Sequence, residues 1–349
     1  MQYFTIKNTL FFILLILFIK FLIAFGVIYL DWFHGFVDQG GDANSYHSHA
    51  VGNINWSDNP NLWFVILRYL NEIGLYNRGV FTFLNIFLGC VLIPYMVSIT
   101  SYIDNKKIIY LCFFFASSLY SLFFYSVDIY RDPIMILTFI FGLLCLKNKS
   151  DIFNVFLVLI ISWVLFLFRD YLGASFFLAF IIVYIFKIDF LKFNPYIFVI
   201  LYITLLNFLF LLGFFDDLIK YRTWFFENDA GTNLKQDFSN KNIFIYNFLS
   251  SFFIQFFGFY FINLKTFSLF LLESIPFIYC LYYCFKNREY RNKFVIFLIS
   301  FCLIYGTLVA IGNGNFGTAL RLRLFVYFSL LIAAFQIYQI KVKSNNGKK

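Results

Sequence analysis

Charge is scarce in this chain. Only 13% of its 349 residues are Asp, Glu, Lys or Arg, against a hydrophobic share of 62% and a mean hydropathy of +0.79. Soluble domains average about 25% charged and about 45–50% apolar residues, so a water-soluble globule is excluded. The longest polar stretch, Asp216 to Asn242, is too short for a core of its own. Cysteine is absent from the connecting segments: Cys90, Cys112, Cys145, Cys280, Cys284 and Cys302 all lie in apolar runs, which excludes a disulfide framework. Cys280 and Cys284 share a helix face, but no histidine or carboxylate is near enough in sequence to suggest a metal, and they read as small core residues. Histidine is confined to His34, His47 and His49, and no internal repeat is visible.

What the chain has in abundance is apolar runs of about twenty residues, each long enough to cross a hydrocarbon core of about 30 Å. They predict an all-α fold: a polytopic helical transmembrane bundle of about ten spans forming a single transmembrane domain over 1–349. The spans are 9–30, 79–101, 108–126, 133–146, 152–168, 171–186, 195–215, 266–285, 294–311 and 324–340. The run Thr9–Leu30 is longer than a signal-peptide core of about 7–15 residues, and no small-residue cleavage site follows, so it reads as an uncleaved first span. Pro60–Asn77 carries Arg68 and Glu72 at an i,i+4 spacing and suits an amphipathic interfacial helix. Of Ile243–Leu264 and 266–285, loop parity lets one cross while the other lies along the interface or re-enters.

The few charges are sorted by type. Thirteen of the eighteen lysines fall in one set of connecting segments, among them Lys106–Lys107, Lys147–Asp151, Lys187–Asn194, Lys286–Lys293 and the tail from Lys341. Seven of the nine arginines (Arg68, Arg78, Arg131, Arg169, Arg222, Arg321 and Arg323) fall in the other set. The positive-inside rule places the lysine face and both termini in the cytoplasm. It also accounts for most of the net charge of +9, so no nucleic-acid partner is implied. The outer face then holds two large segments, 31–78 and 216–265, with interfacial helices, and three tight turns.

Four constellations lie on that outer face. In Asp38-Gln-Gly-Gly-Asp42-Ala-Asn-Ser-Tyr46-His47-Ser-His49, Gly40–Gly41 supplies a turn that presents Asp42 to the membrane surface. Asp42 there suits a general base for a sugar hydroxyl or a ligand to a divalent cation; the alternative is a solvated loop. In Asp128-Ile-Tyr130-Arg131-Asp132-Pro133, Asp132 suits an N-cap and Pro133 a first helical turn. Neither explains Arg131, because cations are unfavourable at a helix N-terminus. Arg169-Asp170-Tyr171 repeats the Arg-Asp pairing, as a local ion pair or as part of a cavity shared with Arg131. Gly312-Asn-Gly314-Asn-Phe-Gly317-Thr318-Ala-Leu-Arg321-Leu-Arg323 matches GxGxxG by letters, but no βαβ unit surrounds it. It reads instead as a flexible turn whose N–H groups approach an anion. Arg321 and Arg323 diverge by about 200° on a helix, so one of them points at such a site. Arginine binds phosphate bidentately where lysine is a point charge. Arg68, Arg78 and Arg222 also suit plain contact with lipid headgroups. Within the spans, Lys20 and Glu273 each need protein or water around them, and they suit a mutual pair that would serve a transporter.

Together, Asp42-Ala-Asn-Ser-Tyr46, Arg131-Asp132-Pro133, Arg169-Asp170-Tyr171 and Asn315-Phe-Gly317-Thr318-Ala-Leu-Arg321-Leu-Arg323 before the last span resemble the bacterial O-antigen polymerases of the Wzy type. The resemblance implies a GT-C-like membrane glycosyltransferase of the bacterial inner membrane. It would polymerise undecaprenyl-diphosphate-linked repeat units at the periplasmic face, with a flippase and a chain-length regulator as partners. Arg131, Arg169 and Arg321 would stabilise the diphosphate leaving group, with Asp42 or Asp132 as base. Tyr46, Asp128, Asp170, Arg222 and Arg323 would line the substrate site. No cofactor is required beyond a divalent cation as an option, and no metal site is assigned. A transferase adding a single sugar, or a precursor flippase, is the alternative.

Overall fold

The computed structural model describes residues 6–30, 41–52, 61–147, 152–227, 233–234, 236–238 and 243–346. Among these, every regular element is a helix. The chain forms two compact units, Met1–Ala174 and Ser175–Lys349. Helices α1 (Ile6–Tyr29), α2 (Gly41–Ala50), α3 (Leu62–Glu72), α4 (Arg78–Ser101), α5 (Lys106–Ser117), α6 (Tyr120–Phe124), α7 (Asp132–Lys147) and α8 (Ile152–Phe168) belong to the first unit. Helix α9 (Asp170–Ile185) begins there. The second unit holds α10 (Pro195–Leu211), α11 (Asp216–Glu227), α12 (Phe244–Phe257), α13 (Leu264–Lys286), α14 (Lys293–Gly312) and α15 (Phe316–Asn346).

Among the described residues, five helices are long and apolar enough to cross a membrane: α1 from Asn8, then α4, α13, α14 and α15. They coincide with the expected spans at 9–30, 79–101, 266–285, 294–311 and 324–340. Of the pair left open by parity, α13 has the length to cross, whereas α12 stops after 14 residues at left-handed Gly258 (φ 69°). The other five expected spans are helical but shorter or broken. Residues 108–126 divide at Ser118–Leu119, and α10 ends in a 76° bend into α11. Exposed Phe11, Phe18, Trp163, Tyr196 and Ile200 on these helices suit lipid, not water. Helices α14 and α15 are instead buried nearly all round and form the core of the second unit.

Local chemistry sets the helix ends. Asn61, Asn77, Asn105, Asn194, Asn263 and Asn292 each accept a backbone N–H at the start of a helix. Lys147, at the end of α7, donates to Ile99 O (3.0 Å) and to Tyr102 O, capping the C-terminus of α4 where a cation is favoured. Helix α3 is amphipathic as expected: Trp63 and Leu67 are buried, and Arg68 pairs with Glu72 at 3.5 Å.

Candidate functional site

In the first unit the segment Ser126–Tyr130 is buried although it belongs to no helix. Buried backbone groups need partners, and two neighbouring side chains supply them. Trp63 Nε1 donates to Ile129 O at 2.8 Å, and Asn85 Nδ2 donates to Asp128 O and Tyr130 O, both at 2.8 Å. Arg78 grips the Asp128 carboxylate through Nε (3.3 Å) and Nη2 (2.8 Å), and its Nη2 also reaches Asn44 Oδ1 at 3.0 Å. The backbone of the turn is thus held from several sides, and it delivers Arg131 and Asp132 to the mouth of α7.

Arg131 Nη1 donates to Phe168 O (3.1 Å), the last carbonyl of α8, while Arg131 Nε is buried and without a hydrogen bond. The next residue after Phe168 is Arg169. Burial first, and then the neighbouring Arg169 guanidinium, hold Arg131 below the usual arginine value; Tyr46, Asp132 and Tyr171 act in the opposite direction. Four charged or titratable groups thus act on Arg131. Asp132 is buried at 1% exposure, and Arg169 lies over the Tyr171 ring at 5.5 Å. Gly173 keeps the corner tight. A Cβ there would meet Ser162 O at 2.5 Å and would press on Phe166 N of α8, so the two helices meet backbone to backbone only with glycine. Two guanidiniums beside one buried carboxylate make a half-buried site with surplus positive charge. Such a site suits a multivalent anion.

Other predicted residues take different places. Asp42 is exposed in the first turn of α2, and Asp170 is exposed in the first turn of α9. Asp128 is committed to Arg78, so Arg78 is not a headgroup contact but the brace of this turn. His47 Nδ1 shares a hydrogen bond of 2.8 Å with Tyr76 OH, whose value burial pushes up to about 12, and the His49 ring lies against Phe64 at 4.2 Å, tilted by 53°. His34, Asp38 and Gly40 lie outside the described residues.

The second unit gathers Arg222, Arg321 and Arg323 for separate purposes. Arg222, also assigned above to headgroups, is buried. Its Nη1 donates to Ala310 O (3.1 Å) and Ile311 O (3.2 Å) at the C-terminus of α14, its Nη2 reaches Gln236 Oε1 (3.0 Å), and its guanidinium lies over Phe238 (4.6 Å). Arg323 pairs with Glu273 at 2.6 Å, both essentially unexposed. The expected Lys20–Glu273 pair is thereby corrected: Glu273, set in a π-helical turn of α13, takes Arg323, while Lys20 lies over Phe123 at 5.3 Å. Arg321, half-buried, points elsewhere and reaches Thr318 Oγ1 at 3.4 Å, the divergence that their spacing requires.

The glycine turn before α15 is also not open to an anion as expected. Asparagine side chains occupy its N–H groups: Asn313 Oδ1 accepts Asn315 N (3.2 Å), Asn233 Oδ1 accepts Phe316 N (2.7 Å) and Asn315 Oδ1 accepts Thr318 N (2.9 Å). Asn247, Ser251 and Gln255, spaced by four on one face of α12, complete the scaffold through Asp237 O, Ala310 O and Asn313 O. This polar stripe at four-residue spacing in an apolar helix is a signal legible in the sequence, as is Asn85 inside a span, and neither is among the expected site residues. Among the described residues no three His, Cys, Asp or Glu side chains gather as a metal site. Set against known proteins, the chain matches no family model, no curated protein and no solved structure.

Proposed function

We propose that the chain is a GT-C-like membrane glycosyltransferase of about ten spans that polymerises undecaprenyl-diphosphate-linked oligosaccharide repeat units at the periplasmic face of a bacterial inner membrane. The observation that carries this reading is the convergence of Arg131 and Arg169 beside buried Asp132, at the ends of apolar helices. A lipid-linked diphosphate needs that combination: an apolar flank for its tail and bidentate cations for its phosphates. In the reaction an acceptor hydroxyl oxygen bonds to the anomeric carbon while the carbon–oxygen bond to the diphosphate breaks. The diphosphate leaves with the bonding pair, and the arginines stabilise the charge that develops on it. The hydroxyl proton passes to a carboxylate, for which Asp132 is better placed than exposed Asp42.

The test is complementation of a polymerase-null strain, scored by polysaccharide length. The wild-type chain restores long polymer, and Arg131→Ala, Arg169→Ala and Asp132→Asn each abolish it. A single added unit from the wild type would assign a one-sugar transferase instead. Full-length polymer from all three variants would remove this site from the mechanism.

A further inference from the structure

Helix α2 is an anomaly in this chain. Its ten residues, Gly-Asp-Ala-Asn-Ser-Tyr-His-Ser-His-Ala, carry hydrogen-bonding side chains at seven positions in a protein that is 62% hydrophobic. Its buried residues Ala43, Tyr46 and Ala50 follow an i, i+3, i+7 spacing and anchor it on α3, with the Tyr46 ring 4.9 Å from Phe64. Its orientation is fixed twice more, by Asn44 under Arg78 (3.0 Å) and by His47 on Tyr76 (2.8 Å). This leaves a second row, Asp42, Ser45 and His49, again at i, i+3, i+7, with Ser48 beside it. Asp42 is exposed and the other three are partly exposed.

Arg78 connects this helix to the turn that carries the arginines, since its Nη2 donates both to Asn44 Oδ1 of α2 (3.0 Å) and to the Asp128 carboxylate (2.8 Å), three residues before Arg131. The surfaces around Arg131 are therefore ordered by polarity. On one side lie the apolar helices α7 and α8, whose chain segments read Pro-Ile-Met-Ile-Leu and Val-Leu-Phe-Leu-Phe next to the site. Beyond the Arg78–Asp128 brace lies α2, with hydroxyls, a carboxylate and imidazoles. A lipid-diphosphate-sugar has the same order along its length. Its first sugar is separated from phosphorus by a single bridging oxygen, so a diphosphate held by Arg131 and Arg169 places that ring against the immediate neighbours of Arg131.

Resting on the diphosphate reading above, we infer that α2 is the recognition site for the first sugar of the carrier-linked glycan. In that site Asp42, Ser45 and Ser48 bond the sugar hydroxyls, and His49, lying against Phe64 at 4.2 Å, borders its apolar face. Hydroxylated ligands are discriminated strongly by such groups because an analogue lacking the hydroxyl leaves them without partners.

The test is equilibrium binding to the purified full-length chain of three probes: inorganic pyrophosphate, a short-chain polyprenyl diphosphate, and the same lipid diphosphate bearing one N-acetylhexosamine. The wild type is expected to prefer the sugar-bearing probe. Ser45→Ala/Ser48→Ala, which improves helix propensity and so leaves α2 folded, lowers affinity for that probe about tenfold, the size of two modest hydrogen bonds. It leaves the other two probes unchanged. Asp42→Asn is expected to act in the same direction, and Arg131→Ala to weaken all three. If wild type binds the two lipid probes equally, or if the double variant weakens both alike, the sugar site is overturned while the diphosphate reading stands. If wild type binds no probe, both fall together.

Discussion

Asn85 shows how one side chain governs a site it does not line. It is fully buried in α4, where an amide is unfavourable among apolar neighbours unless bonded, and both its donors go to carbonyls of the turn that carries Arg131. Asn85→Leu leaves Asp128 O and Tyr130 O without those donors, at a cost of about 1–3 kcal/mol for each buried carbonyl left unsatisfied. Asn85→Asp is expected to be worse, because it puts a carboxylate oxygen in place of Nδ2, facing both carbonyls. Thermal unfolding in detergent measures the loss. Pyrophosphate binding separates a displaced Arg131 from general destabilisation, since Asn85→Leu should weaken binding even well below its melting temperature. Trp63→Phe gives the milder form of the same test: the ring stays and the donor to Ile129 O goes. Equal stability of Trp63→Phe and wild type would show that the turn does not need that bond.

At the scale of elements, the pair Arg323–Glu273 fastens α15 to the π-helical turn of α13, with Gly258 at the end of α12 closing over it. A Cβ at Gly258 would meet Ser274 Oγ at 2.5 Å and Arg323 Nη1 at 3.4 Å, so three elements share one packing point. Removing one charge strands the other, at a cost of about 3–5 kcal/mol, whereas replacing both by apolar residues of similar volume is close to neutral. Glu273→Gln and Arg323→Met should therefore each lower thermal stability, and Glu273→Leu/Arg323→Met should recover most of it. A double variant as unstable as either single one would mean that the charges serve something other than this contact. The pair also shows what was legible in the sequence and what was not. That Glu273 needs a buried partner follows from its position in an apolar run, and the divergence of Arg321 from Arg323 follows from helical geometry. The identity of the partner does not follow: Lys20, the other charge inside a span, was expected, and packing instead brings Arg323 to Glu273. Similarly, Arg131 and Arg169 were legible as a pair because each breaks a local rule. The braces Trp63, Asn85 and Arg78 were not, since their contacts with the turn span 43 to 66 positions and leave no periodic trace.

For the molecule as a whole, the open question is which side of the membrane holds the arginines, and helix lengths and lysine positions answer it differently. Counting only the five long helices puts the termini on opposite faces and separates Lys286 and Lys293 from Lys106 and Lys107. Counting bent α10–α11 as a sixth crossing reunites the lysines, but it leaves Arg131 and Arg169 on their side. Only if 108–126, α7, α8 and α9 also cross do the arginines face away from the lysines. Helices α7 and α8 have 16 and 17 residues. At about 1.5 Å per residue they reach about 24–26 Å, against a hydrocarbon core of about 30 Å. That mismatch costs only fractions of a kcal/mol per Å and is met by local thinning of the bilayer. Thinning here brings the headgroup level down to Arg131 and Arg169, which is where a membrane-embedded carrier presents its diphosphate. On the proposed ten-span reading, the positive-inside rule outweighs that length deficit. Labelling of intact cells with a membrane-impermeant maleimide decides the matter, using exposed positions against native cysteines that are buried or half-buried. Asp170→Cys should label in intact cells and Lys107→Cys only after permeabilisation. Labelling of both only after permeabilisation would exclude ten crossings, leave the arginines in the cytoplasm, and remove any periplasmic reaction at Arg131 and Arg169.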